Sequence, residues 1–515
     1  MKRLIVCCDG TWNNPEQEEN GVLSPTNVVK IFNSISPYDH DQDMSQLRYY
    51  HPGVGGEGGL IKTLTGGAVG AGISRHICSA YHWLGSHYEE GDEIYLYGFS
   101  RGAFIVRSLS GFIANGLLNL KGLKPKQSWE QVHHAYDKGY RIPSAKQVDW
   151  AKADYRFFHQ GKAPAIRFIG VWETVGALGV PNDLEILNIF DDKTKWEFHN
   201  TKLAKHIKTA RHAMAVDEKR SSFTVTRWDN AAKHKDAKEV WFPGVHSDVG
   251  GGYANTDLSD GALRWMIEES QSVGLKFRKE AVDSIQGNPL GHIHNSYRGI
   301  FSRMRSRPRS LDLITSRNKD IIHSSVLKRQ AVSPINYPSY HPTKQLKVGE
   351  KVTLDVFADT RWNETGLFLE KGHSYQFSAT GEWKDSTDAC DWKGTQNNKL
   401  TIGDIMRSAS SFLGSFEKVY KQLTKNENTD FLLTKRVENL NWFTLVGAIA
   451  NDKGKKAVVA NDGSPKPHQY VELAKYKKSP LKIENSGYLY CFPNDVWSLY
   501  ENNTGSVQLT IQRIS

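Results

Sequence analysis

Ser100 stands between two glycines in Gly98-Phe99-Ser100-Arg101-Gly102, with the apolar run Glu93-Ile94-Tyr95-Leu96-Tyr97 before it and the helix-like stretch 103–109 after it. Strand, sharp turn and helix in that order form a nucleophile elbow, which lifts a serine hydroxyl above the end of a sheet. The glycines keep the turn free of clashes, and the helix that follows points its N–H groups at any negative charge that develops there. Ser100 is the candidate nucleophile.

A serine hydroxyl needs a base, and the base needs a carboxylate to orient it; behind an elbow they follow in the order acid, then histidine. Residues 165–172 read as a buried strand ending on Glu173, and residues 239–245 as a shorter apolar run ending on His246. Open α/β sheets carry their catalytic groups just beyond the carboxyl ends of their strands, so Ser100, Glu173 and His246 fall at one edge. Glu173 is the candidate acid and His246 the candidate base. Asp248 and Asp217 compete as acids: Asp248 equally suits a role in organising the glycine turn 250–252, and Asp217 a pair with Arg220. A fourth strand, 3–8, turns out at Asp9-Gly10-Thr11-Trp12-Asn13. An oxyanion hole takes one backbone N–H from such an early loop and one from the residue after the nucleophile, which nominates Thr11 and Arg101. Asp9 and Thr11 are equally suited to side-chain bonds that shape the turn.

The motifs Asp9-Gly10-Thr11-Trp12-Asn13, Tyr50-His51-Pro52-Gly53-Val54-Gly55, Gly98-Phe99-Ser100-Arg101-Gly102-Ala103, Val171-Trp172-Glu173-Thr174-Val175-Gly176 and Pro243-Gly244-Val245-His246-Ser247-Asp248 with Val249-Gly250-Gly251-Gly252-Tyr253 together resemble a large family of bacterial and fungal hydrolases. That family includes the type VI secretion phospholipase effectors of the first lipase class. The resemblance spans about residues 1–330. It implies an α/β-hydrolase fold, a Ser-acid-His triad on Ser100, Glu173 and His246, and action on phospholipid esters in at least one branch. Glu173 departs from the pattern, where the family usually has Asp.

The rest of the chain bounds these expectations. Its 515 residues, 39% of them hydrophobic, suffice for two or more cored domains. No apolar stretch reaches the ~18 residues of a membrane span, and the N-terminal run lacks the apolar core of a signal peptide. The expectation is cytoplasmic synthesis, and the resemblance implies export by a type VI apparatus, which would leave no such mark. Five cysteines do not make a disulfide scaffold, and Cys7 and Cys8 point to opposite faces of their strand. A net charge of +10 suits anionic surfaces or an ordinary solvated face, and no zinc-finger, RNP-type or P-loop motif speaks for nucleic acid. The glycine-rich stretch 53–72 fits either a flap or close helix packing. Segments 120–160 and 258–330 carry helical spacing and are expected to cap the sheet, with Trp265 and Met266 lining an acyl pocket or, more simply, filling a core.

Three prolines within 333–342 mark a linker, 333–345, between a catalytic domain (1–332) and a second domain (346–515). Short alternating strands at 352–358, 374–380, 488–492 and 506–511 describe a β-sandwich, interrupted by helical spacing at about 400–438. Thr365-Gly366-Leu367, Gly372-His373-Ser374-Tyr375, Gly381-Glu382-Trp383, Leu445-Val446-Gly447-Ala448-Ile449 and Asn494-Asp495-Val496-Trp497-Ser498-Leu499-Tyr500-Glu501-Asn502-Asn503-Thr504-Gly505 resemble the PA-IL type of galactophilic lectin. The resemblance implies that the last loop binds Ca²⁺ and sugar, with Asp495, Asn502 and Asn503 as side-chain ligands, Leu499 as a carbonyl ligand and Asp385 nearby. Such oxygen donors suit Ca²⁺. Read from residues alone, the loop is equally an Asn-rich turn.

Two functions compete. One is a serine esterase acting on phospholipids or other esters, with carbohydrate, a secretion apparatus or an immunity protein as partners; the other is a carbohydrate-binding protein on a catalytically reduced hydrolase scaffold.

Overall fold

The computed structural model describes residues 1–10, 13–53, 68–142, 155–176, 202–298, 305–332, 339–385, 388–395, 435–454 and 467–515. Thr11, most of the glycine-rich stretch, the start of the linker and the core of the 400–438 insertion lie outside these residues.

Among the described residues, seven strands form the N-terminal sheet: β1 (Lys2–Cys8), β2 (Tyr38–Asp39), β3 (Met44–His51), β4 (Glu93–Phe99), β5 (Ile166–Trp172), β6 (Ile207–Ala215) and β7 (Ala237–Phe242). Their order is β2-β3-β1-β4-β5-β6-β7, with every neighbouring pair parallel except β2 with β3. Strands buried on both faces read as continuous apolar runs, which is how 3–8 and 165–172 stood out. Leu4, Val6 and Cys8 face a layer built from α2 (Ala68–His87) and α3 (Arg101–Ile113), while Ile5 and Cys7 face α1 (Asn27–Ser34) and a long helix at Asp257–Gln271. All five cysteines are free. Chain direction across the sheet reverses at β1, so the loops after β1 and β4 diverge around a crevice at the carboxyl edge, the place where open α/β sheets hold ligands.

A short helix, α4 (His246–Gly250), follows β7, and α5 is the Asp257–Gln271 helix. Met266 on α5 is fully buried in the sheet core, and Trp265 packs against that core. Helix α5 is therefore part of the layer over the sheet. Beyond Lys279–Asp283, the described part of the segment up to α6 (Ser324–Ala331) forms only a 3₁₀ turn at Ser316–Asn318, so it covers the sheet as extended chain more than as helix.

The C-terminal unit contains two antiparallel sheets. One takes β8 (Lys351–Phe357), β10 (Ser374–Thr380), β11 (Trp383–Asp385), β12 (Asp388–Cys390), β15 (Leu481–Lys482) and β17 (Asn503–Arg513); the other takes β9 (Asn363–Leu369), β13 (Leu445–Ala450), β14 (Gln469–Glu472) and β16 (Gly487–Pro493). A shared core joins them, with Phe377, Leu509 and Ile511 of the first meeting Leu445, Ile449 and Leu489 of the second. The other face of the four-stranded sheet, through Val446, Ala448, Tyr490 and Phe492, packs on Met214 and Trp241 of the N-terminal sheet and on Leu311 and Ile314. Burial on both sides explains why β13, Leu445–Ala450, is apolar throughout.

The described end of the linker is packed. Tyr340 is buried, its hydroxyl donates to Asp217 Oδ2 at 2.8 Å, and the His341 ring lies between Asp217 and Glu364. Among the described residues, no helix is long and apolar enough to cross a membrane.

Candidate active site

The elbow follows from close contacts. A Cβ on Gly98 would meet the Gly102 carbonyl at 2.4 Å, and one on Gly102 would meet the Cys8 carbonyl at 2.1 Å, so the turn presses onto the end of β1 and only glycine fits. Ser100 sits at its apex with φ 56° and ψ −120°, a conformation that side chains rarely adopt and that functional turns retain. The Ser100 N–H donates to Trp172 O at 3.1 Å, which extends the β4–β5 pairing to the tip. Although Ser100 caps α3, its hydroxyl makes no capping bond and is left for chemistry.

Glu173 follows the neighbouring strand and is also strained, with φ 43°. Its backbone N–H donates to Ala213 O at 2.9 Å, and the next N–H, of Thr174, donates to His212 Nε2 at 3.2 Å. Since Nε2 of His212 accepts there, its Nδ1–H faces Glu239 Oε1 at 3.4 Å. A buried Glu239–His212 pair thus pins the turn that carries Glu173.

The carboxylate of Glu173 is fully buried and fully used. Oε1 accepts from Ala215 N at 2.8 Å; Oε2 accepts from His246 Nδ1 at 3.0 Å and from Arg309 Nη2 at 2.7 Å. Burial works to raise its pKa, but the Arg309 charge, the His246 contact and the Ala215 N–H together hold it below the usual carboxylate value.

His246 starts α4, and its N–H donates to Glu218 Oε2 at 3.2 Å. Its ring lies between Phe99, at 4.7 Å, and Phe223, at 4.9 Å. Burial lowers its pKa below 6.5, against the opposing pull of Glu173. At neutral pH the imidazole is uncharged, with Nδ1–H facing the acid and Nε2 left as an acceptor. Among the described residues no hydrogen bond joins it to Ser100.

The competing acids have other partners. Asp248 accepts from Val245 N at 3.0 Å and pairs with His294 Nδ1 at 2.6 Å, shaping the turn. Asp217 does not meet Arg220 as the sequence suggested: Glu218 takes that arginine at 2.8 Å, and Asp217 holds His341, Tyr340 and the Gly244 N–H. Glu218 is committed to Arg220 and the His246 N–H, whereas Asp217 is taken up by the chain at 340–341 and the Gly244 N–H.

Asp9 is buried, and its carboxylate accepts from Thr26, Tyr50 and the Gly10 N–H, with burial pushing its pKa up to about 6. That fixes Gly10 beside Ser100, where a Gly10 Cβ would lie 3.2 Å from the serine Cβ. The oxyanion candidate Thr11 falls outside the described residues. Arg101 is the first residue of α3, and burial pushes its guanidinium down to about 10.

Sequence reasoning missed Arg309 and Glu218. Neither carries a local signal, since each joins the site through a long-range fold contact.

At the C-terminal loop, Asp495 Oδ2 accepts from Asn503 Nδ2 at 2.9 Å and Asp385 Oδ1 accepts from Asn502 Nδ2 at 2.9 Å. Asn503 Oδ1 is buried without a hydrogen-bond partner. Leu499 lies in the 3₁₀ turn Trp497–Asn502 between these groups. Among the described residues, no cluster of three or more His, Cys, Asp or Glu side chains is arranged to hold a metal.

Residues 2–269 match the family described as "T6SS, Phospholipase effector Tle1-like, catalytic domain". The uncharacterized protein YEL023C of Saccharomyces cerevisiae is 28% identical over 238 residues, 43% of this chain and 32% of the yeast protein. The chain thus aligns with about a third of that relative's length. Among solved structures, an uncharacterized Pseudomonas aeruginosa protein aligns over 56% of this chain and 49% of its own at 19% identity and TM-score 0.34. The Tle1 effector bound to the VgrG spike of the type VI secretion system aligns over 56% of this chain and 76% of its own at 14% identity and TM-score 0.36.

Proposed function

Because the chain belongs to the family of Tle1-like type VI secretion phospholipase effector catalytic domains, we propose that it is a serine hydrolase of the α/β-hydrolase type that cleaves acyl esters of phospholipids. The observation that carries the reading is the buried Glu173–His246 contact of 3.0 Å, together with a strained serine whose hydroxyl makes no capping bond.

In this mechanism His246 Nε2 takes the Ser100 proton as Oγ bonds to the acyl carbon, and the carbonyl electron pair moves onto oxygen. The Arg101 N–H, at the start of α3, would stabilise that oxyanion, with the Thr11 N–H as the second donor that the sequence nominates. Collapse breaks the ester C–O bond, and the departing alcohol takes the proton from His246. Water then attacks the acyl-serine with His246 as base, which releases the fatty acid and restores Ser100. Glu173 holds the Nδ1–H tautomer and stabilises the imidazolium. The test is mass analysis of products from mixed phospholipid vesicles and simple acyl esters. Wild-type protein is expected to release fatty acid and lysophospholipid, and Ser100→Ala neither; equal turnover by the variant removes the proposal.

The two-sheet C-terminal unit fits a lectin-like β-sandwich that binds carbohydrate or another surface. The buried, unpaired Asn503 Oδ1 beside the carboxylates of Asp495 and Asp385 favours a Ca²⁺ site with Asn502 and the Leu499 carbonyl, since a hard cation would satisfy that oxygen. Calcium there would crosslink the loop and take no part in ester cleavage. Export through a type VI apparatus is the matching cellular setting, with lipid as target.

A further inference from the structure

We infer that Arg309 is a positioning residue for the hydrolytic centre, delivered to Glu173 by a strap that the C-terminal unit clamps in place. This rests on reading Glu173 and His246 as acid and base. Arg309 lies forty residues beyond the last one matched to the catalytic family, so nothing in that match assigns it a role.

The strap is residues 305–309. On its inner side Ser221 N donates to Arg305 O at 3.2 Å, Arg307 N to Lys219 O at 2.6 Å and Arg309 Nε to Glu218 O at 3.2 Å. On its outer side Trp362 Nε1 donates to Ser306 O at 3.2 Å, His468 Nε2 to Pro308 O at 2.9 Å, and the Arg307 guanidinium pairs with Asp452. Trp362, His468 and Asp452 all belong to the C-terminal unit. The side chain of Arg309 is 5% exposed and reaches Glu173 Oε2, the same oxygen that receives His246 Nδ1.

Sharing that oxygen has two effects. It fixes the carboxylate plane against the imidazole, and it withdraws part of the acid's charge from His246, so that the ring stays an uncharged base in a buried pocket. Other charges face the pair from the loop after β6, namely Glu218, which accepts from the His246 N–H, and Arg220, which pairs with Glu218; His212 on β6 also feels Glu173. Among the described residues, Arg309 is the cation in direct contact with Glu173. Removing a cation raises the proton affinity of the pair, so the acid limb of the activity profile must move to higher pH; an opposite charge at this range is worth roughly 1–3 pKa units.

The test is the pH profile of kcat/KM for p-nitrophenyl butyrate. Arg309→Met is expected to move the acid limb up by about one pH unit, Arg309→Lys to restore most of the wild-type position, and Trp362→Ala to move it the same way by less. A uniform loss of activity with the acid limb unmoved overturns the inference, as does an Arg309→Lys profile that matches Arg309→Met. If Arg309→Met fails to fold, the pairing is read from stability: Arg309→Met with Glu173→Gln must melt above Arg309→Met alone, and a double variant melting no higher overturns it. Ser100→Ala separates the two levels. Turnover that survives it sinks the triad reading, whereas a dead Ser100→Ala with an unmoved Arg309→Met limb sinks only the role of Arg309.

Discussion

Two carboxylate–histidine pairs in this protein, one buried and one partly buried, end in opposite charge states. Glu173 meets His246 at 3.0 Å, and Asp217 meets His341 at 2.7 Å. Burial opposes charge on both rings. In the first pair the acid is divided between the histidine and Arg309, and His246 stays below its ordinary pKa. In the second, burial is outweighed because His341 bonds two carboxylates, Asp217 and Glu364, and its pKa rises to about 10. The number of carboxylates on the ring and the cations that compete for them, more than the length of the contact, decide whether a histidine becomes a base or a fixed cation. The first pair suits catalysis; the second joins the catalytic unit, the linker and strand β9.

The largest expected difference between the pairs is in rate. Glu173→Gln should lower kcat by up to ~10⁴-fold, the scale for losing the correct tautomer, while Asp217→Asn should leave the pH at half-maximal kcat/KM on the acid side unchanged. An Asp217→Asn profile that shifts like that of Glu173→Gln would erase the distinction. Stability should respond in the opposite sense: His341→Gln leaves Asp217 and Glu364 without their cation and should cost about 3 kcal/mol or somewhat less, because Glu364 is partly exposed. Denaturant melts at pH 6 would check this, and a loss within error would mean the linker is held by its apolar contacts alone.

A finer consequence concerns pH. The folded pKa of His341 lies above the unfolded value of 6.5, so its contribution is complete below pH 6.5 and fades as pH rises through about 10. Wild-type stability should fall between those limits, and His341→Gln should lack that slope; parallel curves for the two proteins would contradict the assignment. His246, shifted downward, should place the acid limb of kcat/KM below pH 6.5. The smallest effect expected is at the C-terminal loop, where Ca²⁺ should raise the melting temperature and chelator lower it. No shift with either would leave Asp495, Asn502 and Asn503 as a hydrogen-bonded turn.

Much of the edge that carries the candidate site was legible because local rules write it. Continuous apolar runs mark β1, β4 and β5, and each ends on the polar residue that the structure sets at the carboxyl edge: Asp9, Ser100 and Glu173. The pairing partners of Asp217 were not legible, because Tyr340 and His341 lie more than a hundred residues along the chain. Arg309 was invisible for a different reason: the chain between it and Glu173 carries no periodicity that announces the contact, which exists only once the strap is held from both sides. The linker read as extended from its prolines, yet Tyr340 and His341 are docked by a carboxylate more than a hundred residues earlier.

The most direct test of the central claim is covalent. A fluorophosphonate probe followed by intact-mass and peptide analysis is expected to give one adduct, on Ser100, that is absent in Ser100→Ala and much slower to form in His246→Ala. An active wild-type protein that stays unlabelled, or carries its adduct on another residue, would contradict the assignment of Ser100 and His246 as nucleophile and base.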